Sequence, residues 1–454
     1  AYLVWDLKKL FPKLVVTEEE ALLMTQRELT PGEGLEFVIR GVRDRYLGVD
    51  ESWKELYTWY RQNEGQKVDR ILDAGFFKKK PDALTGEEAA ELYGEKKQFS
   101  VTRMERFSAC AYAHFLTYGL HLSDRERYEF EAMDLGNIAH QSMERFARKA
   151  QEKRMPWPKL EEVQRDAMIE ESVEESIKDY GNTVLYSTAR NEYMIVRIKQ
   201  LIRRSVWALT RQMEKGDFEP SGYEMNFGSG KIDRVDTCED EDVVYVKVTD
   251  YKTGMKSFDI VALYHGLQMQ LPVYLNAALE LEERRASGKT VEPAGIFYYR
   301  IKDPIVDREK DDHALEEKIL KELRLDGMIN AKEEVIEHLE HQLSGTSVLN
   351  PIGKNKDGSL NRYSKVLPPE AFAAMLSYTK KKEARVKRQI YAGEVQANPY
   401  ELNGSTGCDY CAYRDICGFD PRLDGYAYRS LEKYSKEEVI RRMEEEIENR
   451  EEPS

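Results

Sequence analysis

The stretch "VYVKVTDYKTG", residues 244–254, reads as a buried strand that ends abruptly in an acid and a base two positions apart. Strand side chains alternate between faces, so Val244, Val246, Val248, Asp250 and Lys252 share one side. A carboxylate and an ammonium therefore emerge together at the strand end. An isolated D-x-K of this kind is ordinarily a surface ion pair, and only its surroundings can give it another meaning.

Those surroundings contain a second acid. Asp233 stands in "GSGKIDRVD" (228–236), one hairpin before Asp250, and residues 221–254 carry a period of two broken by polar turns. They read as successive antiparallel strands. Pairing them brings Asp233 and Asp250 to a common pole, where two acids without a cation repel. A hard divalent ion, Mg²⁺ or Mn²⁺, resolves the repulsion by accepting carboxylate oxygens while keeping waters for chemistry. Lys252 beside such an ion can position the attacking water and stabilise negative charge on a phosphate.

Outward from the hairpin the pattern turns helical. Leu135, Ala139, Met143 and Phe146 form one stripe with His140 at its flank, and Ile195, Ile198, Ile202, Leu209 and Met213 form another. After the hairpin comes a helix through "QLPVY" (270–274), which places Gln270 and Tyr274 on one face. "EPAGIFYYRIKD" (292–303) returns to strand, 306–350 reads as charged and helical, and 370–391 as another helix. The class is α/β (α+β), a mixed central sheet flanked by helices. Residues 1–90 contain helical pieces, including 17–29 and 51–63, and no G-x-x-x-x-G-K-[ST]. Residues 431–454 read as an amphipathic helical tail fraying into solvent.

The chain of 454 residues has 83 acidic and 69 basic side chains, a net charge of −14. That excludes a protein coated for nonspecific nucleic-acid binding. Basic runs at 197–204, at Arg300 with Lys302 and at 380–388 read as solvated faces. No run of about 18 apolar residues appears. The reading is a cytoplasmic protein, and the start without Met suggests a piece of a longer chain.

Five cysteines in such a chain do not suggest a disulfide framework. Cys408, Cys411 and Cys417 form C-x2-C-x5-C, tight enough for three thiolates to face one centre. The fourth ligand is Cys110 or Cys238, and chemistry alone leaves both zinc and an iron–sulfur cluster open.

The ordered set "GNIAHQ", "GKIDRVD", "TDYKTG" and "QLPVY" resembles the RecB-like branch of the PD-(D/E)xK nuclease superfamily. The resemblance implies a restriction-endonuclease-like core and a metal-dependent deoxyribonuclease. It implies His140, Asp233 and Asp250 as Mg²⁺ ligands, with the backbone carbonyl of Tyr251 a further one, and Asp233, Asp250, Lys252, Gln270 and Tyr274 as the catalytic set. Glu224 is a weaker neighbour. The one-plus-three cysteine arrangement resembles the iron–sulfur nucleases of that branch, which implies a [4Fe–4S] cluster on Cys110, Cys408, Cys411 and Cys417. Within the branch the sequence is similar to the AddB (RexB) family over about residues 85–430, with "NPY" (398–400) and "CDYCAYRDICGFD" among the carrying residues. That likeness implies residues 1–90 as the end of a helicase-like region, 91–430 as the nuclease domain, an AddA-type helicase–nuclease partner, and single-stranded DNA delivered from a duplex end, cut on the 5′-terminated strand. A free-standing iron–sulfur exonuclease like those of CRISPR adaptation, a DNA-binding scaffold without catalysis, and a zinc-binding interaction protein are the competing readings.

Overall fold

The period-two stretch becomes the centre of a six-stranded mixed sheet. The computed structural model describes residues 2–16, 30–44, 52–75, 83–94, 99–123, 132–186, 188–228, 230–286, 288–309, 311–423 and 425–449. The chain divides into two compact units, residues 1–81 with 420–426, and residues 82–419 with 427–454.

In the first unit, helices Pro31–Asp44, Trp53–Asn63 and Gly65–Gly75 gather around Val38, Val42, Tyr60 and Val68. Gly41 permits one of these crossings, because a Cβ there would stand 2.2 Å from the Trp53 ring. The helix expected at 17–29 lies outside the described residues, and the one expected at 51–63 is Trp53–Asn63.

The second unit carries the sheet, built from β1 (Glu219–Phe227), β2 (Gly230–Asp240), β3 (Val243–Lys252), β4 (Thr290–Arg300), β5 (Asp326–Asn330) and β6 (Val366–Leu367) in spatial order. The hairpin pairs are antiparallel, β3 and β4 are parallel, β4 and β5 antiparallel, and β5 and β6 parallel. The β3–β4 crossover contains the helix through "QLPVY", as a parallel connection requires.

Alternation along β3 and β4 feeds two cores. Tyr245, Tyr251, Phe297 and Tyr299 face one, which is completed by α2 (Ala132–Glu152), α3 (Glu162–Leu185) and α4 (Ala189–Met213). Val244, Val246, Val248, Ile296 and Tyr298 face the other. There they meet α1 (Val101–Ala109), α5 (Gln270–Glu283), α6 (Pro369–Tyr391) and α7 (Lys436–Glu448). The result is three layers, with helices on both faces of the sheet.

Two sequence expectations need correction. Among the described residues the stretch 306–350 is helical only at Asp312–Glu322 and Glu333–Leu339, and β5 lies between them. Its five residues are too few to display a period. Gly327 lets this short strand approach β4, since a Cβ there would lie 1.9 Å from the Ile296 carbonyl oxygen. The C-terminal helix Lys436–Glu448 is amphipathic and docked, while residues 450–454 of the expected tail lie outside the described residues. Its Val439 and Met443 are fully buried, and Arg385 of α6 pairs with Glu446 at 2.8 Å.

The basic runs are largely neutralised from within the fold. Lys199 and Arg203 pair with Glu170, Arg204 with Asp303, Lys302 with Glu322, and Lys380 with Glu280. Among the described residues, no helix is long and apolar enough to cross a membrane.

Docking of α7 predicts that Met443→Ala costs about 2–5 kcal/mol, the range for emptying a buried methionine site. Chemical denaturation checks this; a loss below the error of the measurement would restore the frayed tail.

Candidate active site

The β2–β3 ladder ends at the pair Arg234↔Thr249. The next residues on the two strands are Asp233 and Asp250, so both acids lie just beyond the last rung. There the Asp233 carboxylate replaces the ladder, accepting a hydrogen bond from the Tyr251 N–H at 2.7 Å. On the opposite edge of β3 the Lys252 carbonyl accepts from Ile301 N at 2.8 Å. Backbone carbonyls alternate along a strand, so the Tyr251 carbonyl turns to the Asp233 side.

His140 reaches the same point from α2, with Nδ1 3.3 Å from Asp233 Oδ2. Burial opposes its protonation, but the Asp233 hydrogen bond and the charges of Asp233 and Asp250 outweigh it and hold the imidazole above its ordinary range. Lys252 Nζ lies 2.5 Å from Asp250 Oδ2. Gln270 Nε2 donates to Asp250 Oδ1 and to the Tyr274 hydroxyl, both at 2.9 Å. Burial, then the neighbouring Asp233, pushes the Asp250 carboxyl well above the usual carboxylate range.

The expected residues therefore gather at the ends of β2 and β3, with His140 and Asp233 close together and both Asp250 oxygens facing Lys252 and Gln270. His140, Glu224, Lys231, Asp233 and Lys252 help to line a cleft of about 530 Å³, while Asp250 is buried. Tyr274 is turned away from the opening, buried with its ring 5.5 Å from Phe227.

Glu224 belongs closer to the centre than the sequence suggested. A ligand atom from each of His140, Glu224 and Asp233 lies within 4.8 Å of the other two. Burial and the Asp233 charge push its carboxyl up to about 7. Its backbone adopts φ 45°, an uncommon conformation for a non-glycine residue in a strand. Nothing in "YEMNFG" advertises this.

Glu105 is wholly unanticipated. From α1 it accepts hydrogen bonds from Met269 N at 2.7 Å and Gln270 N at 3.1 Å, capping α5 at the residue that holds Asp250. The two partners are more than 160 residues apart in sequence, beyond any local signal.

The second acid of "DRVD" does different work. Asp236 is buried against Arg234, whose Nε donates to it at 2.6 Å, with Lys247 Nζ at 3.5 Å. It is a structural ion pair beside the site.

The cysteines gather elsewhere. α1 stops at Cys110, whose backbone is extended (φ −165°, ψ 119°). Cys110 is buried with Ala113, Leu116 and Tyr413, and the partly buried Cys411 packs against them. Asn398, from "NPY", accepts from Ala111 N at 3.0 Å. Phe419 N donates to Cys417 Sγ at 3.4 Å. Burial pushes the Cys408 thiol up, and the charges of Cys110, Cys417 and Cys411 add to it. Cys238 lies apart from this group, on β2.

The sequence profile of the PD-(D/E)XK nuclease superfamily matches residues 98–418. The chain belongs to that superfamily. It is also similar to proteins named as B-type subunits of an ATP-dependent helicase/deoxyribonuclease. The similarity is 36% identity with that of Lachnoclostridium phytofermentans, across 97% of this chain and 40% of the relative. With that of Alkaliphilus oremlandii it is 31%, across 98% and 41%, and with that of Caldanaerobacter subterraneus subsp. tengcongensis 32%, across 96% and 40%. The chain thus spans about two fifths of the length of these curated relatives.

The two aspartates of one motif should behave differently. Asp236→Ala strands the buried Arg234 charge and should destabilise by about 3–5 kcal/mol. Asp233→Ala gives up the Tyr251 N–H bond but relieves repulsion from Asp250, and should shift the denaturation midpoint clearly less than Asp236→Ala. Equal losses would mean that Asp233 is also structural.

Proposed function

We propose that this chain is the nuclease portion of an AddB-type subunit, which hydrolyses DNA phosphodiester bonds and trims the 5′-terminated strand of a duplex end. The observation that carries the reading is the gathering of His140, Asp233, Asp250 and Lys252 where the β2–β3 ladder ends. The names of the similar proteins, which join a deoxyribonuclease to a helicase, favour DNA as substrate and an AddA-type motor as partner.

The donor set suits Mg²⁺ or Mn²⁺. The Asp233 and Glu224 carboxylates and the His140 imidazole bring ligand atoms within 4.8 Å of one another, and a divalent cation would favour the ionised form of Asp250, which burial and the Asp233 charge oppose. His140, Asp233, Asp250 and the Tyr251 carbonyl would hold the ion, with Glu224 within reach. When bound, it supplies Lewis acidity toward the phosphate and lowers the pKa of a coordinated water.

The protein groups then divide the remaining work. Tyr251 N–H fixes the rotamer of Asp233, and Gln270 fixes that of Asp250. Lys252 presents its ammonium to the cleft, where it orients the attacking water and stabilises charge developing on the phosphate. Tyr274 steadies Gln270 through its hydroxyl, a positioning role.

Cys110, Cys408, Cys411 and Cys417 would hold a [4Fe–4S] cluster by four thiolates. A single tetrahedral zinc needs its sulfurs about 3.8 Å apart, given Zn–S bonds of about 2.3 Å. Among the described residues, the groups of three or more ligand atoms within 4.8 Å of one another do not include these cysteines. The wider spacing favours a cluster. Its role is structural, since closing the loop from 110 to 417 turns metal-binding energy into folding energy.

Asp250→Ala should abolish cleavage of an end-labelled single strand in Mg²⁺ while the protein stays folded; persistent cleavage would disprove the metal site. Lys252→Ala should keep Mn²⁺ affinity within about threefold yet lower turnover by at least about 100-fold, the scale of lost electrostatic stabilisation. Cys411→Ala should lower soluble yield and remove visible colour in protein purified without oxygen, and a brown, well-folded variant would refute that ligand.

A further inference from the structure

Cys238, the cysteine left out of the cluster, is not alone. At the far end of the hairpin from the acids it lies beneath Asp217, which leads into β1, and His338, at the end of helix Glu333–Leu339. A ligand atom of each of these three lies within 4.8 Å of the other two. His341 joins them, with Nε2 2.9 Å from Asp217 Oδ1, while His338 Nδ1 is 2.8 Å from Asp217 Oδ2. Three separate chain segments thus deliver a thiol, an imidazole and a carboxylate to one place, with a second imidazole on the other oxygen of that carboxylate.

The backbone holds these segments together. Asp217 N donates to the His338 carbonyl at 2.9 Å, and His341 N to the Lys215 carbonyl at 2.8 Å. Between them Gly216 allows the approach, for a Cβ there would lie 2.4 Å from the His338 carbonyl oxygen.

The imidazoles also have the outer partners that metal-bound histidines use. Each turns one nitrogen toward Asp217 and the other toward a further carboxylate, His338 Nε2 lying 3.6 Å from Asp240 and His341 Nδ1 3.6 Å from Glu337. A carboxylate behind a ligating imidazole fixes its tautomer and strengthens its donor nitrogen.

We propose that Asp217, Cys238, His338 and His341 form a second metal site, selective for Zn²⁺ or an ion of similar softness, that staples helix Glu333–Leu339 to the sheet. The mixed sulfur and nitrogen donors select a borderline-soft ion over Mg²⁺. Tetrahedral ligation at ~2.1 Å would set neighbouring N and O donors ~3.4 Å apart, so the two Asp217 contacts open by about 0.5 Å. Binding releases the Cys238 proton to solvent as the Zn–S bond forms. The site is independent of cleavage, since Cys238 is five residues beyond Asp233, about 17 Å along β2.

Cobalt(II) is the probe, because a thiolate-to-cobalt charge-transfer band reports sulfur ligation. The purified full chain is titrated with Co²⁺ and back-titrated with Zn²⁺, and difference spectra are compared for wild type, Cys238→Ser, His341→Gln and Cys411→Ser. The expected result is a zinc-displaceable thiolate band in wild type that is lost in Cys238→Ser. His341→Gln, altered at an exposed position, should bind at least about tenfold more weakly, and zinc should raise the melting temperature of wild type more than that of this variant. If Cys238→Ser does not fold, the His341→Gln affinity decides. No band in wild type, or a band lost only in Cys411→Ser, would overturn the proposal and leave a hydrogen-bonded His–Asp–His cluster.

Discussion

Everything at the candidate site depends on where one ladder stops. Past Arg234↔Thr249 the ladder between the two central strands ends, and the chain places a carboxylate on each strand at the first position beyond it. Had pairing continued by one rung, the Tyr251 N–H would be free to serve the ladder, and Asp233 would lose the bond that orients it. Had it stopped earlier, the two acids would diverge. A hydrogen bond to a charged acceptor contributes roughly 1.5–3 kcal/mol, enough to hold Asp233 in one rotamer against the repulsion of its neighbour.

The surrounding fold keeps that arrangement rigid from both faces. Helix α2 brings His140 from one core, and α5 brings Gln270 from the other. Each acid is therefore gripped from a different layer, Asp233 by His140 and the strand backbone, Asp250 by Gln270 and Lys252. The site is made of strand ends and helices rather than loops, which restricts its geometry more than a loop-borne site would allow.

Much of this was legible in the sequence, because the signals were local. Period two through "VYVKVTDYKTG" gave the strand, its face and its terminal acid and base; the spacing to "GKIDRVD" gave the partner acid. The four-residue spacing of Gln270 and Tyr274 foretold a shared helical face. What escaped had no local signature. Glu105 acts on a helix that begins 165 residues later, Glu224 depends on an unusual backbone turn within a strand, and β5 is recognisable only once Gly327 is seen against Ile296. The surroundings of Cys238 left no local trace, because its histidine and aspartate neighbours come from other segments.

Helix α1 links two features that look separate in sequence. At position 105 it caps α5, and five residues later it ends in Cys110. The cap fixes the backbone of Gln270, whose amide holds Asp250. Any displacement of Cys110 along the axis of α1 is therefore transmitted to Glu105 within about one and a half turns, roughly 7.5 Å of helix. The cap holds two N–H groups at the positive end of the α5 dipole, an interaction of roughly 0.3–1 kcal/mol from the dipole alone at exposed sites and more when partly buried. On the proposed reading, a cluster anchored at Cys110 does more than close a loop. It sets the position of the helix that aligns the catalytic carboxylate, so the integrity of the cysteine centre and the geometry of the cleft are one mechanical problem.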